Sequence, residues 1–486
     1  MNEKMAVLRG VFWKFAERLA AQLVSLVVSV ILARLLSPSE YGIIAIVTVF
    51  TAIANAFVTE SFGAALIQKQ DTDALDYSSV FYFTLGLTFL LYLILFFLAI
   101  PISKFYEIPL LKPVLRVLAL SLPILGINSI QQAYISRKME FKKFFQATII
   151  GTIISAVVGI VMAFCGFGVW ALVAQSLTNN VVDTIILQLS IEWKPARAFS
   201  MERIRSLLSY GWKLVVQNLI FQVYGNLRSL LIGKIYTTSD LAYYTKGNYL
   251  PNLLSTNIDT AINTALFPAM SRAQESIQTV KNMARKTTQM TSYVMNPVLV
   301  GFMAIAVPFI HVLLTDKWLP AVPFLRIQCV ILLFRAPQTA ILQAMKAVGK
   351  SDTILKCDVP LRIFAICVLL VSIRFGVLCF AFSEILVTVV CTVLYAVAAK
   401  RIIGYTGLEI CGDFISNVAR AAAMGIATWY LGNILPFNAF VTMLIQIVFG
   451  FACYMLISVV TRSKELGYLV KLICECLQSR RGPSET

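Results

Sequence analysis

Apolar residues run through this chain in long unbroken stretches, interrupted at Pro, Gly and short clusters of charge. Neither the period-2 alternation of half-buried strands nor the one-sided stripe of soluble helices describes them. A membrane-spanning helix needs roughly 20 mostly apolar residues, and about fourteen segments meet that length. They lie near 11–35, 42–67, 78–100, 111–136, 144–165, 167–191, 207–234, 241–270, 288–314, 321–346, 353–373, 376–400, 413–432 and 436–460. The pattern predicts an all-α polytopic membrane protein. Very short turns are predicted at Gly166-Phe167-Gly168 and Arg374-Phe375-Gly376. The first span holds Lys14, Glu17 and Arg18 and lacks a small-residue cleavage site, so it reads as a span and not as a cleavable signal.

Composition agrees: 59% of residues are hydrophobic and 13% charged, against roughly 45–50% and about 25% in soluble domains. The net charge of +17 would suggest a nucleic-acid partner were it not sorted by loop. Placing the N-terminus in the cytoplasm puts Arg137, Lys138, Lys142, Lys143, Lys194, Arg197, Arg203, Arg205, Arg272, Lys281, Arg285 and Lys286 inside. The outer loops keep only Lys104, Lys112, Lys317 and Arg374 clear of the spans. The excess is a topology signal that predicts both termini in the cytoplasm, and no nucleic-acid partner is expected. A single histidine, His311, excludes His-rich metal sites and a His-based triad, and no metal or cofactor is expected. The ten cysteines are mostly isolated within spans and read as packing residues.

An internal repeat organises the chain. Leu36-Ser37-Pro38-Ser39-Glu40-Tyr41-Gly42 aligns with Tyr236-Thr237-Thr238-Ser239-Asp240-Leu241-Ala242, each preceded by a cation, Arg34 and Lys234. Ala65-Leu66 meets Ala265-Leu266, Val114-Leu115-Arg116-Val117 meets Phe324-Leu325-Arg326-Ile327, and Gln132-Ala133 meets Gln343-Ala344. An even number of spans separates the paired elements, which predicts two parallel six-helix lobes around a midplane site. The expected division is 1–200 (spans 1–6), 201–405 (spans 7–12), 406–462 (two additional spans) and 463–486 (cytoplasmic tail).

Polar residues recur on one face of the duplicated spans. Lys14, Arg18, Gln22, Ser25 and Ser29 in the first match Lys213, Gln217, Phe221, Tyr224 and Arg228 in the seventh. Thr48, Asn55 and Thr59 in the second match Asn248, Ser255 and Asp259 in the eighth, where Asn252 extends the face. Polar stripes are tolerated beside a wet cavity and expensive against lipid, which places spans one, two, seven and eight around a cavity. Lys14 and Lys213 lie near cytoplasmic ends, where snorkelling explains them equally well. Glu60 and Asp259 are expected to pair with cations across the lobes, the alternative being a coupling proton or sodium. Arg326, Arg335 and Arg362 are expected as inter-lobe salt bridges. Asp183 and Glu384 are lone acids with no evident partner.

The stretch Ala33-Arg34-Leu35-Leu36-Ser37-Pro38-Ser39-Glu40-Tyr41-Gly42 resembles the first-loop signature of Wzx-type polysaccharide flippases of the multidrug/oligosaccharidyl-lipid/polysaccharide superfamily. So do Arg137-Lys138-Met139-Glu140-Phe141 and Lys317-Trp318-Leu319-Pro320-Ala321. The resemblance covers about residues 1–400. It implies two six-helix lobes, alternating access, and translocation of undecaprenyl-diphosphate-linked oligosaccharides across the bacterial cytoplasmic membrane. That activity serves exopolysaccharide or lipopolysaccharide biosynthesis, with a polysaccharide polymerase and chain-length machinery as further partners. On this reading Lys14, Arg18, Gln22, Asn55, Lys213, Gln217, Arg228 and Asn252 line the substrate cavity, and Glu60, Asp259, Arg326 and Arg335 serve coupling or inter-lobe pairing. The alternative is a multidrug or cation antiporter of the same superfamily, which would need an acidic cavity where this stripe is cationic. No enzymatic activity is expected, because the longest clear outer loop, 101–110, holds a single acid, Glu107.

Overall fold

The structure, a computed structural model, describes residues 3–59, 66, 72–138, 140–191 and 193–468. Of these, the side chains of 3–12, 14–19, 58–59, 206–214, 261–265, 267–268 and 351 are outside the description. The described chain is helical throughout: α1 (Glu3–Leu35), α2 (Pro38–Thr59), α3 (Ala74–Tyr106), α4 (Leu111–Leu118), α5 (Ser121–Lys138), α6 (Phe141–Phe164), α7 (Val169–Ser190), α8 (Met201–Ile235) and α9 (Thr238–Arg272). There follow α10 (Ile277–Ala304), α11 (Ala306–Leu314), α12 (Val322–Leu333), α13 (Arg335–Ala347), α14 (Ser351–Ser372), α15 (Val377–Ile403), α16 (Gly407–Ile434) and α17 (Ala439–Val460). Among the described residues, 7 helical segments are long and apolar enough to cross a membrane, and 8 if α10 and α11, bent by 69° at Ile305, count as one span. The fourth and tenth expected spans are each two helices, broken near Ala119 and at Phe334. This is a multi-pass membrane protein. Its helices expose large apolar side chains such as Phe97, Val161, Val371 and Phe451, as lipid-facing surfaces must.

Residues 1–242 and 243–486 form two compact units. In unit 1, α6 packs against α1 and α7. Small residues allow the close approach typical of membrane interiors: Gly159 of α6 lies against the Gln175 stem, and Gly151 against Asp183. A cluster of Val28, Leu32, Leu36, Ala156, Ala163, Ala171 and Leu172 fills the α1–α6–α7 interface. Helix α8 packs on α2 and α3.

The two aligned signature loops fold alike. The Glu40 N–H donates to Ser37 Oγ (3.4 Å) while the Glu40 carboxylate accepts the Ser37 N–H (2.7 Å). The Asp240 N–H donates to Thr237 Oγ1 (3.0 Å) while the Asp240 carboxylate accepts the Thr237 N–H (3.2 Å). Each is a capping box, which satisfies two backbone donors at a helix start. The two boxes also touch. Ser39 Oγ lies 2.8 Å from Thr238 Oγ1, and Gly42 runs directly beneath the Thr238 carbonyl, where a Cβ would overlap that oxygen.

In unit 2, α10 packs against α16, and α16 against α17. Another capping box, Thr406 with Glu409, starts α16. Its acid then takes Lys281 Nζ at 2.9 Å, and the Thr406 N–H and that ammonium together hold the Glu409 carboxyl down at about 2. One turn on, Asp413 gathers Arg285, Gln289 and Tyr405. Polar groups thus tie the α16–α17 hairpin to α10 at one end, and apolar packing of Tyr293, Ala421, Met424 and Tyr454 continues the contact beyond them.

Candidate functional site

Each unit carries a polar seam between packed helices. In unit 1 the seam joins α5, α6 and α7. Asn128 is buried; its Nδ2 donates to Asp183 Oδ2 at 2.8 Å and approaches Thr184 Oγ1 at 3.2 Å, while its Oδ1 accepts from Gln132 Nε2. Gln131 donates to Gln188, and Asn179 Nδ2 donates to Ser155 Oγ at 3.3 Å. The helical repeat explains the assembly: Asn128 lies three and four residues before Gln131 and Gln132, and Asn179 lies four before Asp183 with Thr184 next to it, so each set shares one side of its helix. Asp183 therefore has a partner, contrary to the sequence expectation, though its second oxygen, Oδ1, is buried without a hydrogen bond.

Unit 2 carries the counterpart on α13 and α15. Gln338 Nε2 donates to Thr392 Oγ1 at 2.9 Å and lies 3.3 Å from the Thr388 carbonyl. Gln338 and Thr392 follow Asn128 and Asp183 by 210 and 209 residues, close to the 208 that separate the positive-φ glycines Gly168 and Gly376 at the starts of α7 and α15. At these positions unit 1 has the acid and unit 2 a hydroxyl. Arg116 and Arg326 behave as a second matched pair. The first donates Nε to the Phe96 carbonyl at 3.1 Å and lies 4.0 Å above that ring. The second donates Nε to the Met303 carbonyl at 3.3 Å and lines a cavity of about 380 Å³ with His311, Trp429 and Gln446.

The sequence-predicted residues divide as follows. Asp259 is buried and accepts Arg335 Nε at 2.6 Å; both belong to unit 2, so this salt bridge lies within one unit, where an inter-lobe pair was expected. Asn252 accepts from Gln328 Nε2 at 3.3 Å and donates to the Asn248 carbonyl at 2.8 Å. Glu384, read as partnerless, accepts the Tyr244 hydroxyl at 3.4 Å. Gln22, Asn55 and Arg228 are half-buried and Gln217 is exposed. On α1, Val24, Val28, Leu32 and Leu35 pack toward α6 and α7 while Leu23 and Val27 are exposed; Gln22, Ser25 and Ser29 fall between these faces at 100° per residue. The side chains of Lys14, Arg18 and Lys213, and Glu60 altogether, lie outside the described residues.

A further feature had no sequence signal. A cavity of about 450 Å³ opens between α9, α10, α16 and α17, lined by apolar side chains including Leu254, Val298, Phe302, Met424, Phe451 and Met455. It depends on Gly301 and Gly450 leaving space between helices, a property of packing and not of any single span.

A family model described as "Polysaccharide biosynthesis protein" matches residues 31–323. The chain is 24% identical over 344 residues to the succinoglycan biosynthesis transport protein ExoT of Rhizobium meliloti (strain 1021), covering 71% of this chain and 70% of that one. It is 20% identical over 414 residues to the lipopolysaccharide biosynthesis protein WzxC of Escherichia coli (strain K12), covering 83% of each. The fold is similar to that of the lipid II flippase MurJ in an inward closed conformation, with a TM-score of 0.73 at 14% identity over 94% of this chain and 99% of that one.

Proposed function

Because this chain belongs to the polysaccharide biosynthesis protein family, we propose that it translocates lipid-linked oligosaccharide units across the bacterial cytoplasmic membrane by alternating access, with undecaprenyl diphosphate as the lipid anchor. The family match is the observation that carries this reading. The names of the relatives, a succinoglycan transport protein and a lipopolysaccharide biosynthesis protein, agree with it, and the fold is one that a lipid flippase uses. The head group of such a substrate is charged and hydroxylated, and stripping its water in hydrocarbon would cost many kcal/mol. A helix face with fixed cations and amide donors replaces that water.

In this reading Arg18 and Lys14 receive the diphosphate from the inner leaflet, and Arg228 with Lys213, on α8 of the same unit, share it as the transporter changes state. Arginine suits this task because its planar fork matches phosphate oxygens two at a time. Gln22, Asn55, Gln217 and Asn252 supply neutral donors and acceptors to the sugars. The apolar cavity beside α16 and α17 accommodates a segment of the prenyl chain while the rest stays in lipid. Both termini face the cytoplasm, about fourteen spans cross the bilayer, and a polymerase takes up the product on the outer side. A cation antiporter would need an acidic face where α1 and α8 carry Lys14, Arg18, Lys213 and Arg228.

The test is charge reversal. Arg18→Glu and Arg228→Glu should each abolish surface glycan and accumulate the lipid-linked intermediate while leaving protein abundance in the membrane unchanged. Normal glycan export by both variants overturns the assignment. Efflux of lipophilic cationic dyes that rises with expression would favour the antiporter instead.

A further inference from the structure

Asp183 is a half-buried acid on a seam of polar side chains. It lies seven residues from the end of α7 at Ser190, roughly 10 Å along the axis, on the polar seam inside unit 1. Asn128 turns its NH₂ group, not its carbonyl, toward the carboxyl. The second oxygen, Oδ1, is buried with no donor in reach. Among the described residues no cation pairs with it.

The ionisable groups on the helices packed around α7 are held at their ends. Glu40, beside Gly168, lies at the start of α7, roughly 22 Å along the axis from Asp183, and is turned to Ser37; Tyr41 adjoins it. On α4, Arg116 is turned to Phe96, and Lys112 stands near the start of that helix. At the other end Lys143 pairs with Glu140 at 2.7 Å, Arg137 donates to the Leu66 carbonyl at 3.0 Å, Lys138 lies 4.6 Å over the Tyr134 ring, and Lys142 opens α6. An ionised carboxylate with one oxygen enclosed by protein would need a nearby cation or a full set of donors. It has one amide, and an oxygen with nothing to accept.

The duplicated fold supplies a control. At the matching place in unit 2 an amide, Gln338, donates to a neutral hydroxyl, Thr392. Packing of these helices therefore does not require an acid. The carboxyl of unit 1 is an addition to a scaffold that is complete without it.

We propose that Asp183 is a proton-carrying site: Oδ1 holds the proton in the resting state, Asn128 stabilises the neutral carboxyl through Oδ2, and release to water breaks the Oδ1–H bond and leaves the carboxylate. A sodium site is disfavoured because it would need a cage of oxygens, whereas the group facing this carboxyl is an N–H donor. The inference deepens the transport reading by naming its coupling ion, and rests on that reading only for its second test.

The first test needs no substrate. Infrared difference spectra of the purified full chain in nanodiscs, recorded between mildly acidic and mildly alkaline buffer, should show a protonated-carboxyl C=O band that is lost in Asp183→Asn. Asn128→Ala should keep that band and shift it upward, since the carbonyl loses its donor. Identical spectra for wild type and Asp183→Asn overturn the proposal, as does a saturable, Asp183-dependent heat on titration with NaCl at fixed pH, which would make the site one for sodium. Thermal unfolding of Asp183→Asn should match wild type, so that loss of the band is not loss of fold. The second test is export in cells: Asp183→Asn should lose the dependence on a transmembrane pH gradient. A band lost in Asp183→Asn together with no glycan export by the wild-type chain would leave the proton site standing and remove the transport reading.

Discussion

Removing the Asp413 carboxylate should release the α16–α17 hairpin from α10. This side chain is 6% exposed and accepts from Arg285 Nε (2.8 Å), an Arg285 terminal nitrogen (3.0 Å), Gln289 Nε2 (2.6 Å) and the Tyr405 hydroxyl (2.9 Å). Breaking a buried charge pair by deleting one partner costs about 3–5 kcal/mol. The Arg285 side chain is 36% exposed and regains water, which lowers the expected cost of Asp413→Ala to about 2–3 kcal/mol. Opening of α16 away from α10 should become easier by that amount. Amides in the first turns of α16 should then exchange roughly 30- to 150-fold faster in hydrogen–deuterium exchange of the chain in nanodiscs. Arg285→Ala should cost less, because Gln289 and Tyr405 still serve Asp413, and the double variant should fall short of the sum. Unchanged exchange in Asp413→Ala, or strict additivity with Arg285→Ala, would refute the claim that this carboxylate holds the hairpin.

Other outcomes follow from the same geometry. Gly42→Ala drives a Cβ into the Thr238 carbonyl, a backbone atom that cannot swing aside. A loss of about 1–3 kcal/mol is expected, read as a lower unfolding temperature, while Gly225→Ala, which meets nothing, should be neutral or slightly stabilising. Arg335→Met strands the buried Asp259 and should destabilise unit 2 by about 3–5 kcal/mol; adding Asp259→Asn should recover most of it, and no recovery would show that the two side chains are not coupled. Glu409 is held near 2 against an ordinary 4.5, so its contribution is complete above about 4.5 and fades as pH falls toward 2. Protection of the α16 start should drop through that window in the wild type and show no such drop in Glu409→Gln.

The matched loops show how far a sequence reaches. Ser37 with Glu40 and Thr237 with Asp240 were aligned by spacing alone, and their capping boxes are local chemistry, set by residues three apart. That Ser39 meets Thr238, or that Gly42 must be glycine, was not legible, because the partner lies 199 residues away for the first. The same limit hid Asn128 from Asp183. Asp183 stood out as a lone acid and Asn128 was not singled out, because a pairing 55 residues apart depends on how α5 and α7 are brought together. Arg335 with Asp259 shows the converse: both were singled out, and only packing chose which acid met which cation.

The sequence by itself determined the solvent of this protein and its helical class, because hydrocarbon permits few backbone solutions and apolar length can be counted along a chain. Only the tertiary structure decided which polar groups satisfy one another and which is left with an unmatched oxygen. Helix faces are periodic and interchangeable in a linear sequence, whereas a hydrogen bond of 2.8 Å between Asn128 and Asp183 requires two helices at one particular rotation and depth.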